Sequence, residues 1–244
     1  MKYLAIFTML SAVAGDLDPR LPVSTLVRED IFAGLMAADM VRFERGAANV
    51  DKILNERPDQ RGSALVWKAG ATLFRSILAR ERGDHTAYKQ FFRAANEYYA
   101  EGERTNPKDI SVVAGTAGSL VILTDRLAPE DQPELWEKCY VNFRKIADLQ
   151  KPMMDKLPLH LKGELLSGLA QSAQRTGRLE EATRYLEQLS VQLPGSPYEA
   201  VANKWRSDPA FADRSSLACK TCHDPGRLEN RLKALETGTS YAPR

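Results

Sequence analysis

Near the carboxy end of the chain, Cys219-Lys220-Thr221-Cys222-His223 puts two sulfurs and an imidazole within five residues. Two residues between the cysteines let one turn of backbone offer both thiols to the two vinyl groups of a haem, giving two thioethers. The histidine directly after the second sulfur then lies under the ring as proximal ligand, and neutral imidazole nitrogen suits iron. With three cysteines and three histidines in 244 residues, chance yields this pattern on the order of once in a thousand or more such sequences, so it is informative. Other chemistry is open to the same side chains. Oxidising surroundings favour a Cys219–Cys222 disulfide. A lowered thiol pKa makes the two cysteines a thiol–disulfide redox pair. Closed structural zinc sites need four ligands, and only three cluster here.

The five-residue motif resembles the attachment site of c-type cytochromes, which implies one covalent haem c held by Cys219 and Cys222, with His223 on the iron. Asp224 and Pro225 form a good helix start, and Leu228, Leu232 and Leu235 then share one face. Lys220, Arg227 and Arg231 are candidate contacts for the haem propionates. The chain departs from the cytochrome pattern after the motif, because no histidine or methionine follows His223. A sixth iron ligand therefore comes from elsewhere, or the position stays open. Candidates within the chain are His85, His160, Met36, Met40, Met153 and Met154, with His160 and the Met153-Met154 pair the first to inspect because they lie near a turn.

The amino end fits such a cofactor. Lys2 precedes an uncharged stretch from Tyr3 to Ala14, and Ala12-Val13-Ala14 offers small residues for cleavage. This is the layout of a signal peptide over residues 1–14, too short for a membrane span, and it places the mature chain in the periplasm or another extracytoplasmic compartment. The only other long uncharged stretch, Ile110 to Thr124, also falls short of a span and reads as a core helix. Lysine plus arginine (34) nearly balance aspartate plus glutamate (32), and the charges are scattered. No basic stripe of the kind nucleic-acid binders carry is visible. There is no phosphate-binding glycine loop, no GxSxG and no HExxH, so the chain reads as a non-enzyme, unless an open haem iron performs small-molecule chemistry.

Between Ser24 and Trp205 the apolar residues recur at helical spacing. Tyr88, Phe91, Phe92, Ala95, Tyr98 and Tyr99 form one stripe, as do Leu65, Val66, Ala69, Leu73, Phe74, Ile77 and Leu78. Turn residues at Ala38-Asp39, Gly83-Asp84, Leu127-Pro129 and Gly177, with closing prolines at 58, 107, 152 and 194, divide the region into about four helix pairs. The last pair, LSGLAQSAQRTGRLEEATRYLEQLSVQLPGS, resembles a tetratricopeptide repeat through Leu169, Ala170, Gly177, Ala182, Leu186 and Pro194. The first echoes it through Gly34, Asp39, Phe43, Gly46 and Pro58, while the middle two are longer than that family's repeat. The resemblance implies an all-α fold, a solenoid of stacked helical hairpins over residues 15–206, whose concave wall of first helices receives a protein partner. Residues 207–244 then read as a linker and a tail carrying the cysteine motif and one helix. Cys139, on a helix, reads as a buried thiol.

Two functions compete on this reading. One is an exported repeat protein that docks a partner from a redox or membrane-associated complex and carries haem c for electron transfer. The other is an adaptor whose cysteine pair forms a disulfide or a redox thiol pair.

Overall fold

A computed structural model describes residue 18, residues 20–217 and residue 237 of the chain. Among the described residues it is all-α, with no strand and ten α-helices joined by turns and short 3-10 segments. These are α1 (Val23–Ala37), α2 (Met40–Glu56), α3 (Arg61–Glu81), α4 (His85–Thr105), α5 (Ile110–Leu123), α6 (Gln132–Gln150), α7 (Leu159–Arg175), α8 (Leu179–Gln192), α9 (Pro197–Ser207) and α10 (Pro209–Arg214). The signal-peptide segment, residues 1–14, and the motif residues Cys219, Lys220, Cys222, His223, Arg227 and Arg231 lie outside the described residues.

The helix boundaries follow from local chemistry. Asp39, Asp84 and Asp109 precede α2, α4 and α5, and their carboxylates accept from the backbone N–H of Arg42 (3.1 Å), Ala87 (2.9 Å) and Ser111 (2.8 Å). Each carboxylate satisfies an amide that has no partner inside the helix. Ser196 and Asp208 do the same ahead of Pro197 and Pro209, where a missing N–H costs nothing. Gly83 and Gly177 adopt φ of 77° and 75° between paired helices, a left-handed conformation that ends one helix and frees the next to run back. All four expected turns and all four expected prolines fall between helices or in the 3-10 segments that separate them.

Successive helices pack in pairs, α1 on α2, α3 on α4, α5 on α6 and α7 on α8. The first helix of each pair also lies against the first helix of the next, from α1 to α3, α5, α7 and α9. A single amphipathic hairpin cannot bury its own apolar face, so each pair is completed by its neighbours. Phe43 shows how tight the seams are. It is fully buried, meets Phe74 edge-on at 5.2 Å, and lies so close to Gly34 that a Cβ there would come within 2.6 Å of its own. Asp30 on α1 is nearly as buried, and its carboxylate accepts from Arg42 (3.0 Å) and from both Nε and Nη2 of Arg45 (2.6 Å each) on α2.

The structure departs from the expected linker. Residues 208–217 do not leave the helical body. Asp208 caps α10, Ala212 and Leu217 are buried, and both join Trp205 in a second apolar cluster over α7, α8 and α9. The segment is polar and carries a proline, so its pattern alone reads as a loop. Its few apolar side chains nevertheless find a ready surface, which the periodicity of one segment does not reveal.

Candidate functional site

The helices α1, α3, α5, α6 and α7 enclose an open cavity of about 350 Å³. Its lining is mostly apolar with a few polar groups, the usual make-up of a binding cleft. One wall is aromatic: Phe32 of α1 and Trp67 of α3 meet with ring planes at 90° and centroids 5.8 Å apart. Ser111, Ala114, Gly115, Gly118 and Ser119 of α5 form the floor. This divides the uncharged stretch that reads as plain core. One face, with Val112, Val113, Thr116, Ala117, Leu120 and Val121, is buried, whereas the small-residue stripe opens the cavity.

Gly118 is informative because a Cβ there meets nothing within 4 Å. Packing does not require a glycine at that position, and in a helix glycine costs roughly 0.5–1 kcal/mol against alanine. Gly118→Ala is therefore expected to raise stability by about that amount in urea unfolding, and a loss of stability instead would show that the floor is closed. Beneath the floor Tyr99 donates to Ser119 Oγ at 2.7 Å, and Ser119 donates to the Gly115 carbonyl at 2.8 Å. Burial pushes the Tyr99 hydroxyl's pKa well above its usual value.

At the α7 end the cavity is polar. Tyr198 of α9 donates its hydroxyl to Glu164 Oε1 (2.8 Å) and lies 2.9 Å from His160 Nδ1. The tyrosine has one proton and gives it to the carboxylate, so its oxygen accepts from His160 Nδ1–H. Tyr198 reaches this point because Gly163 leaves room for its ring, which a Cβ at that position would approach to 2.5 Å.

Of the six expected donors for a distal iron position, His160 lines the cavity. Met36 and Met153 are about half exposed, Met40 and Met154 pack against the main core, and His85 is exposed at the first residue of α4. No cluster of three or more His, Cys, Asp or Glu side chains able to hold a metal ion occurs among the described residues. Cys139 is free and buried, with its thiol 3.6 Å from the Ala117 carbonyl, and burial pushes its pKa well above the ordinary thiol value. Cys139 is thus the buried thiol that its sequence setting implied, and because the thiolate is the reactive form, burial keeps it unreactive.

The chain that leads into the cysteine motif is held on the same side of α7 as the cavity. The buried Gln171 accepts from Leu217 N (2.9 Å) and Ser216 Oγ (3.0 Å) and donates to the Val121 carbonyl (3.3 Å). Arg175 lies between the rings of Trp136 and Trp205, binds both oxygens of Asp125, and donates to the carbonyls of Asp213 and Ser215 at 3.2 Å each. Gln171 and Arg175 follow Glu164 by seven and eleven residues, which returns them to the same helical stripe. Residues 213–217 thus cover the far end of the stripe whose near end faces the cavity.

His160 and Glu164 stand four residues apart on one helix, a spacing legible in the sequence. Tyr198, which joins them, had no such signal. Comparison with family models, with curated proteins and with solved structures finds no match for this chain.

Proposed function

We propose that the chain is an exported solenoid of tetratricopeptide-like helical hairpins that takes a protein partner in its groove and carries one haem c for electron transfer. The observation that supports this best is the groove itself, lined by the first helices α1, α3, α5 and α7 together with α6, with residues up to Leu217, just before the cysteine motif, held on the same side. On this reading Cys219 and Cys222 would hold the haem through thioethers, His223 would bind its iron, and Lys220, Arg227 and Arg231 would contact its propionates. Haem supplies one-electron exchange between ferrous and ferric iron, at a potential set by ligands and burial. The chain's own part is to present apolar walls to a partner and to exclude water. The partner belongs to a redox or membrane-associated complex, and no helix among the described residues is long and apolar enough to cross a membrane.

Counting thiols tests the proposal. Protein produced with a cytochrome c maturation apparatus is expected to show a Soret band and the added mass of one haem. After unfolding under reducing conditions it should expose one alkylatable cysteine, Cys139, because thioethers resist reduction. Three alkylatable cysteines and a colourless product would leave the adaptor with a disulfide or thiol pair. Omitting the reductant then separates those two, since a disulfide blocks both motif thiols.

A further inference from the structure

We infer that the connection between α6 and α7 docks this protein on an anionic lipid surface, with exposed leucine and methionine side chains entering the bilayer interface and lysines meeting the headgroups. Of the ten large apolar side chains exposed among the described residues, four fall between positions 149 and 161. These are Leu149, Met153, Leu159 and Leu161, each about half exposed. Single exposed leucines are ordinary, but a concentration of them on one connection marks an interaction surface. Lysine accompanies them at one helical turn. Lys145 stands four residues before Leu149 on α6, and Lys162 three residues after Leu159 on α7. Between these pairs, Met153 and Lys156 are three apart in the 3-10 segment Lys151–Lys156, where that spacing brings side chains into line. Residues 145–162 thus carry four lysines against Asp148 and Asp155, a local excess of two positive charges. None of the four makes an ion pair or a side-chain hydrogen bond among the described residues, whereas Lys68 and Lys138 do.

The connection is anchored from within. Met154 and Leu157 pack against the main core, and Leu157 N donates to the Met154 carbonyl at 3.3 Å. Pro152 and Pro158 restrict the backbone near either end of the segment. Met153, Lys151 and Lys156 are thereby left facing solvent. A membrane suits this composition better than a protein does. Protein interfaces concentrate tryptophan, tyrosine and arginine at their centres and are depleted in lysine. Residues 145–162 contain no tryptophan, tyrosine, phenylalanine or arginine. Leucine and methionine need no matching pocket among acyl chains, and the apolar stem of lysine lets its charge stay with the phosphates while its neighbours sink. Each lysine adds an attraction to anionic headgroups that fades within a Debye length. Gln150 and Leu161 also line the cavity, so its mouth adjoins the docking face.

The test uses the folded full chain with vesicles of phosphatidylglycerol and phosphatidylcholine, about one to two, beside pure phosphatidylcholine. Wild-type protein should co-sediment with the mixed vesicles only, and raising salt from about 0.1 to 0.5 M should weaken binding roughly fivefold or more. Two triple variants separate the contributions: Leu149→Gln with Met153→Gln and Leu159→Gln, and Lys145→Gln with Lys151→Gln and Lys156→Gln. All six side chains are exposed, so circular dichroism and urea midpoints should match wild type. Each variant should bind the mixed vesicles at least about tenfold more weakly. A wild type that stays in solution overturns the inference. So does binding that survives either variant, since it then comes from another part of the chain or from one contribution alone. A wild type that ignores vesicles yet self-associates, with the apolar variant monomeric, makes this face a protein interface and overturns it likewise. Haem has no part in the measurement, so the haem reading stands or falls separately.

Discussion

Replacing Arg175 with alanine is expected to free the chain from Asp213 to Leu217 and to cost about 3 kcal/mol in urea unfolding. The guanidinium is almost fully buried between Trp136 and Trp205, and it satisfies Asp125 and two backbone carbonyls at once. Hydrogen bonds to a charged group contribute roughly 1.5–3 kcal/mol, and the variant removes several at once together with the packing of the guanidinium on two indole rings. The damage should be local as well as global. Limited proteolysis is expected to cut residues 207–217 faster in the variant, because the segment then keeps only Gln171, the Trp205–Ser215 and Gln174–Asp213 hydrogen bonds and a small apolar cluster among its described holds. Arg175→Lys should recover only part of the loss, since one ammonium cannot serve a carboxylate and two carbonyls in the planar fork arginine provides. Unchanged cleavage would show that Trp205 and Leu217 fasten the segment unaided.

The second large effect is expected at Gly168. A Cβ there would fall directly on the ring of Phe143, which is buried on α6 and lines the cavity. Overpacking of this kind costs typically 1–3 kcal/mol, and an aromatic ring wedged between two helices has little room to give way. Gly168→Ala is expected near the upper end, about 3 kcal/mol by urea unfolding, despite alanine's better helix propensity. Pairing it with Phe143→Leu should return at least about 1 kcal/mol relative to the sum of the single changes, because the smaller side chain removes the obstruction. Additive effects would place the strain elsewhere along α7. The contrast with Gly118 is useful: two helical glycines on neighbouring first helices are expected to respond to alanine with opposite sign, one facing open space and the other a ring.

Much of the helical layout is readable from residue order. The stripe from Tyr88 to Tyr99 and the one from Leu65 to Leu78 both pack into the main core, because a three-to-four spacing leaves an α-helix only one face to bury. Asp39, Asp84 and Gly177 act as caps and turns through short-range bonds that any sequence with those residues in those places can form. The groove was less legible. Ser111, Ala114, Gly115 and Gly118 look like close-packing residues, and small side chains serve equally well to let a neighbour in or to leave a space. Phe32 and Trp67 have ordinary apolar periodicity, and nothing in their spacing says that they border a cavity.

What the sequence determined alone is local: an all-helical chain, its turns, a buried inert thiol at Cys139, and a two-sulfur, one-imidazole motif whose chemistry depends on five consecutive residues. Those properties arise from interactions a few residues long. Tertiary structure decided the rest. The placement of His160 beside Tyr198 and Glu164, the return of Ser216 and Leu217 onto Gln171, and the opposite settings of Gly118 and Gly168 all join positions from different helices. Such meetings are set by how the pairs stack, a consequence of burying many faces together that no single stretch of the chain encodes.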